Sequence, residues 1–234
     1  MMRKLFAILM AMMLFCMTAL AEPPVMTVTG TGVVSVKPDT ATISLGVREA
    51  AKDVSEAQSA VSAKVLDVVE TLEGMGVSED DIHTNSLYVY MDYDYDSSSS
   101  NGVRGYIAEN TVSVKVTDVE NVGKYIDAAF TAGANTFNGI DFSASDTKAE
   151  KKQAMELSVK NAREKAEILA AAAGMRISGI QAIRESGGYY DMGANSDALY
   201  AKAETASGAA TPVYADDIQV SATVSIDFTM APVE

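Results

Sequence analysis

The chain has 234 residues, 48% of them apolar, with 32 acidic against 18 basic side chains and a formal net charge of −14. That length buries a real core without staples, and the single cysteine, Cys16, leaves no partner for an intrachain disulfide. A surface this acidic repels phosphate backbones and anionic lipid, which excludes nucleic acid and direct membrane binding and favours cationic partners, metal ions among them.

Residues 1–21 carry a secretory pattern. Arg3 and Lys4 form a short basic start, residues 5–20 are almost entirely apolar, and Ala19-Leu20-Ala21 has the small-x-small form that a signal peptidase cleaves. The apolar run is too short for a comfortable membrane span. Its early stop and the cleavage pattern disfavour an uncleaved anchor helix. Cys16 follows bulky Phe15, where a lipoprotein signal needs a small residue. The expected mature chain is residues 22–234, without cysteine and with a net charge of −16, because cleavage removes two basic residues and no acidic one. No second apolar run is long enough to cross a bilayer as a helix. The expected location is exported: periplasm, cell surface or extracellular.

Residues 26–36 alternate, with Met26, Val28, Gly30, Gly32, Val34 and Val36 on one face and Thr27, Thr29, Thr31 and Ser35 on the other. After a turn at Lys37-Pro38-Asp39, Ala41, Ile43, Leu45 and Val47 alternate with polar residues. This predicts a strand–turn–strand unit with one buried face. Asp53 and Glu56 have the form of a capping box ahead of a helix whose stripe runs Val54, Ala57, Val61, Val65, Val68 and Leu72, and Gly74 is placed to close it in a left-handed conformation. Residues 86–117 predict a long hairpin with a Ser-rich tip at 96–102. On its first strand Leu87, Val89, Met91, Tyr93 and Tyr95 share one face, and Tyr88, Tyr90, Asp92 and Asp94 the other.

Thr117 and Glu120 predict a second capping box, opening a short helix through Val119, Val122, Ile126 and Ala129 that ends at Gly133. A strand follows through Ile140, Phe142 and Ala144. A long helix over about 147–173 has the stripe Met155, Val159, Ala162, Ala166, Leu169 and Ala173, and stops at Gly174. Residues 187–215 are a Gly-, Ala-, Ser- and Tyr-rich excursion. Residues 218–228 close the chain as a strand with one polar face. Helix–glycine–strand units recur near Gly74, Gly133 and Gly174 without a fixed period. Strands in adjacent pairs predict an α+β fold, an antiparallel sheet with helices packed on one face. One domain over 22–234 with a variable loop at 187–215 is the expected organisation.

Catalytic patterns are sparse. His83 is the only histidine, so zinc sites of the His/Cys type fail by count. Its place between Ile82 and Thr84 predicts a surface side chain in a turn. Asp92, Asp94 and Asp96 suggest a calcium loop, but Ser97 stands where glycine is needed and Val103 where a bidentate glutamate is needed. Weak cation binding by these carboxylates stays open. Gly30-Thr31-Gly32 lacks the following helix N-terminus of a phosphate turn, and predicts a bulge or close backbone approach instead. Thirty-two acids make any apparent acid pair uninformative, and tryptophan, a common sugar platform, is absent. Of 13 methionines six lie in 1–21, and most of the rest fall on apolar stripes, which favours core packing over an oxidant sink. Tyrosines near exposed tips supply contact area at low entropic cost. The interaction candidates are Tyr93, Tyr95, Tyr189 and Tyr190.

Residues 28–41, from Val28-Thr29-Gly30-Thr31-Gly32 to Pro38-Asp39-Thr40-Ala41, resemble the opening of the SIMPL domain of YggE-like exported proteins and of a 26-kilodalton periplasmic immunogenic protein. Gly105-Tyr106-Ile107-Ala108-Glu109-Asn110-Thr111, Gly133-Ala134-Asn135 with Asn138-Gly139-Ile140, Ala162-Arg163-Glu164-Lys165-Ala166 and the closing Val220–Val224 strand fit it too. The resemblance implies an exported, cofactor-free α+β protein associated with oxidative-stress tolerance, in a family with a ring-like or channel-like oligomer. It supplies no catalytic residue. The expected function is a non-enzymatic envelope or secreted protein that self-assembles as a homo-oligomer and is linked to stress protection of the cell surface. The alternatives are a carboxylate-based glycan or other hydrolase, and a weak calcium or cationic-ligand binding module.

Overall fold

The computed structural model describes residues 23–93, 102–185, 190–192 and 211–233, with the backbone alone at 190–192. The expected signal segment and hairpin tip lie outside these residues. The fold is α+β. Two antiparallel sheets are built from β1 (Val25–Val36), β2 (Thr40–Ala51), β3 (Ile82–Tyr93), β4 (Val103–Val116), β5 (Thr136–Ser143), β6 (Met175–Glu185), β7 (Tyr190–Met192) and β8 (Ile218–Pro232). The helices are α1 (Val54–Gly74), α2 (Val122–Ala132) and α3 (Lys148–Ala172). One sheet has the order β1-β8-β6 with β7 also on β8; the other has the order β3-β4-β2-β5.

The described chain forms two compact units, one of 23–32, 155–185 and 223–233, the other of 33–154, 190–192 and 211–222. In the first, α3 covers its sheet with a row of small residues. Ser158, Ala162, Ala166 and Ala170 are buried at steps of four, and Val28, Val224, Ile226 and Phe228 complete the core. Leu169, expected on the buried stripe, is exposed; the row that meets the sheet is the small-residue one. A Cβ on Gly30 would sit 2.1 Å from the Ser158 carbonyl oxygen and 2.5 Å from the Ala162 nitrogen. Gly30 is therefore the close backbone approach expected from its sequence.

In the second unit α1 and α2 pack on β2 and β4 around Ile43, Leu45, Leu72, Val114, Val122 and Phe142. Burying each such side chain contributes about 1.5–3 kcal/mol. Asp53 caps α1 as expected, accepting from the Glu56 N–H at 2.8 Å. The left-handed residue past α1 is Gly76 (φ 96°), not Gly74. Gly74 completes the last turn, while Gly76 N–H donates to Glu73 and Val77 N–H to Leu72, a Schellman closure that buries Val77 beside Leu72. The second capping box does not form. The Asp118 carboxylate accepts from the Asn121 side-chain amide at 2.9 and 3.0 Å, a single 3₁₀ turn intervenes, and α2 starts at Val122. Gly133 (φ 119°) and Gly174 (φ 69°) end their helices as expected.

β1 and β2 both form, but in different sheets. The connecting turn is fastened elsewhere: the Asp39 carboxylate accepts from the Ser145 N–H at 2.8 Å and the Ser145 hydroxyl at 2.6 Å. His83 lies in β3 opposite Ser113, not in a turn, and is exposed as expected. Of the 187–215 excursion, 190–192 pair with β8, and Thr211 returns onto α2, donating its N–H to Asp127 at 2.9 Å.

Candidate interaction surface

A sheet edge presents unpaired N–H and C=O groups, and soluble proteins guard such edges with charge, proline, bulges or cover. On β1 the guard is α3: Asn161 accepts from the Thr31 N–H and Lys165 donates to the Thr29 carbonyl, each at 3.1 Å. β6 carries Arg176, Arg184 and Glu185 and is bulged at Ser178 and Gln181. β5 is bulged at Asn138, before Gly139 (φ 135°), and carries Asp141.

Among the described residues, β3 lacks these devices from Ser86 to Met91, and its one acidic side chain is Asp92. It has no Lys, Arg or Pro. Its one extra residue is Asn85, and from Ser86 to Asp92 it runs in continuous register, which shifts again before Tyr93. Leu87, Tyr88, Val89, Tyr90 and Met91 are consecutive and all 38–61% exposed. Among the described residues both faces are open, because α1 lies over β2 and β4 and reaches β3 only at its margin; β3 gives the core little beyond Ile82. The alternation read from the sequence holds geometrically, with Leu87, Val89 and Met91 facing the helix side opposite Asn110, Ala108 and Tyr106. The alternation does not say whether either face is covered, and among the described residues neither is buried. The available signal was a run of large apolar or aromatic residues at both parities.

Of the interaction candidates, Tyr93 ends this strand, 48% exposed, with its hydroxyl donating to the Met91 sulfur at 3.3 Å. Tyr190 lies in β7 opposite Ser221. Tyr95 and Tyr189 lie outside the described residues, as do Asp94 and Asp96. Asp92 is partly covered, 4.0 Å from the Arg104 guanidinium. Among the described residues no group of three or more His, Cys, Asp or Glu is placed to hold a metal. The Arg48 guanidinium stands 5.8 Å from the Tyr90 ring centroid, a cation–π contact on the face away from the helices.

Two carboxyls have displaced acidities, both downward. The Ser145 hydroxyl and N–H hold Asp39 below its ordinary value. The Thr27 hydroxyl at 2.7 Å and the Arg184 guanidinium at 2.6 Å do the same for Asp227. A general acid needs the opposite shift; these are structural ties. Asp227 holds β1 and β6 to β8, and its folded pKa lies below the unfolded value of about 3.9. Its stabilisation is therefore present above that pH and lost as pH falls through the folded pKa. In urea titrations wild type should be more stable than Asp227→Asn at about pH 7, with the gap narrowing by about pH 2.5. An equal gap at both pH values contradicts this.

The family model of SIMPL, described as "Protein of unknown function (DUF541)", matches residues 26–228. The chain belongs to the SIMPL family. It is similar to uncharacterized protein YggE of Edwardsiella ictaluri, 27% identical over 70% of this chain and 68% of that one. The 26 kDa periplasmic immunogenic protein of Brucella melitensis is 29% identical over 70% and 67%. YggE of Escherichia coli K12 is 30% identical over 64% and 61%. Among the described residues no helix is long and apolar enough to cross a membrane. The SIMPL-like stretches have structural work here. Gly30 admits α3 against β1. The Asn135 side chain pairs with the Arg48 backbone as a strand would, accepting from its N–H at 2.7 Å and donating to its carbonyl at 2.8 Å.

Proposed function

We propose that this SIMPL protein is an exported, non-enzymatic envelope or secreted protein that self-assembles through the β3 edge and is linked to stress protection of the cell surface. The observation that carries the assembly reading is the run Ser86–Met91, continuous in register, without a charged side chain and, among the described residues, exposed on both faces from Leu87 onward. Unpaired backbone groups select an extended strand as their partner. A second copy supplies one without charge: Ile82 to Met91 contains no acidic or basic side chain apart from His83. In a chain carrying −14 overall, copies approach at least cost where charge is sparse. The periplasmic name of the Brucella relative supports export. One family model spanning 26–228 supports reading 22–234 as one SIMPL domain with a variable segment at 187–215.

Residues 22–234 contain no cysteine, so in a Cys16→Ser background a single introduced thiol cross-links only between copies. Directly opposed residues of an antiparallel pair have Cβ atoms about 4.5–5.5 Å apart, near disulfide reach. Under mild oxidation at least one of Leu87→Cys, Val89→Cys and Met91→Cys should form covalent dimer faster than Ser178→Cys on β6. Equal rates at all four positions would remove β3 as the interface.

A further inference from the structure

We infer that Met91 is a reversible oxidation site whose sulfoxide switches off pairing at the β3 edge, an inference that rests on the assembly reading above. Met91 is 46% exposed at the end of the apolar run. Met26 and Met155 pack against the Val28–Phe228 core, and Met175 and Met230 are partly buried. Met75, the other exposed methionine among those described, is the C-cap residue of α1 and belongs to no strand.

The thioether is a two-electron reductant. A sulfur lone pair attacks one oxygen of hydrogen peroxide, the S–O bond forms as the O–O bond breaks, and the second oxygen leaves as water after proton transfer. Sulfur loses two electrons and the peroxide gains them. The Tyr93 hydroxyl donates to this sulfur at 3.3 Å; its single O–H can satisfy one acceptor position of a sulfoxide oxygen and leaves the rest to water. That oxygen is a strong acceptor in a strip that pairing must desolvate, and stripping water from it opposes assembly. A paired edge shields Met91. Oxidation therefore proceeds through free protomers and withdraws them, until two thiols of a sulfoxide reductase supply two electrons, close to a disulfide and release the oxygen as water, which restores the thioether.

The test treats the purified full chain with graded hydrogen peroxide at a low and a high protein concentration, maps each methionine by peptide mass spectrometry, and measures solution mass in parallel. Met91 should convert roughly tenfold faster than Met155 in dilute protein and more slowly in concentrated protein. The assembled mass should fall as Met91 converts. Met91→Leu should keep its assembled mass under the same treatment, while Met75→Leu loses it as wild type does. Met91 converting no faster than Met155, or an assembled mass that persists with Met91 fully converted, overturns the inference. A protein that is one protomer before any peroxide is added overturns the assembly reading itself, and the switch with it.

Discussion

Val89→Lys should convert the assembled protein to free protomers, raising the dissociation constant of the edge contact roughly 100-fold, about 2.7 kcal/mol. Val89 lies in the centre of the unbroken edge, opposite Ala108 of β4, with its side chain exposed. An edge lysine is one of the guards that soluble proteins place on sheet edges and that β3 lacks. In an antiparallel pair of identical strands the substitution enters twice, adding two ammonium groups to the junction. The fold should survive, because an exposed side chain away from the core changes stability by roughly 0.5 kcal/mol or less. Ile183→Lys, on the charged and bulged β6 edge, should leave the solution mass unchanged. Equal loss of mass in both variants would point to a general charge effect and away from β3.

Gly30→Val should cost about 3 kcal/mol, the upper end for overpacking, and lower the melting temperature by roughly 6–12 °C. The atoms in the way are the Ser158 carbonyl oxygen and the Ala162 nitrogen. Both are helix backbone, so no rotamer change relieves the contact. α3 must lift from β1, which also breaks the Asn161–Thr31 and Lys165–Thr29 contacts that cover this edge. A thermal melt within about 2 °C of wild type would contradict this reading. A second effect follows from the same geometry: losing that cover opens a new edge, so the variant should aggregate more readily on partial unfolding.

Elements with one buried face were legible in the sequence. β1, β2 and β8 follow their alternation, and the Gly30 approach and the Asp53 cap are local signals that the fold uses directly. Where two local choices were equivalent the sequence did not decide: Gly74 and Gly76 both suit a helix end, and only the Val77–Leu72 closure selects Gly76. Sheet membership was not legible. β1 and β2 are neighbours in sequence, yet their partners lie far along the chain, β8 for one and β4 and β5 for the other. The α3 stripe was misplaced at Leu169 because large apolar residues were weighted over the Ala and Ser row that close helix–sheet contact requires.

The interaction surface was half legible. Tyr93 was named from its residue type and does lie at the exposed end of β3. Leu87, Val89 and Met91 share a face as their alternation indicates, but their exposure depends on where α1 stops over the sheet and not on any residue of β3. Asp39 and Asp227 carry no motif at all. Their ties to Ser145, Thr27 and Arg184 join residues 43 to 200 positions apart.

Light scattering coupled to size exclusion over a protein concentration series tests the central claim most directly. Self-assembly through β3 predicts a defined mass of two or more protomers that falls toward one on dilution, and a Val89→Lys variant that elutes as one protomer throughout. A wild-type protein of single-protomer mass at the highest concentration would contradict it.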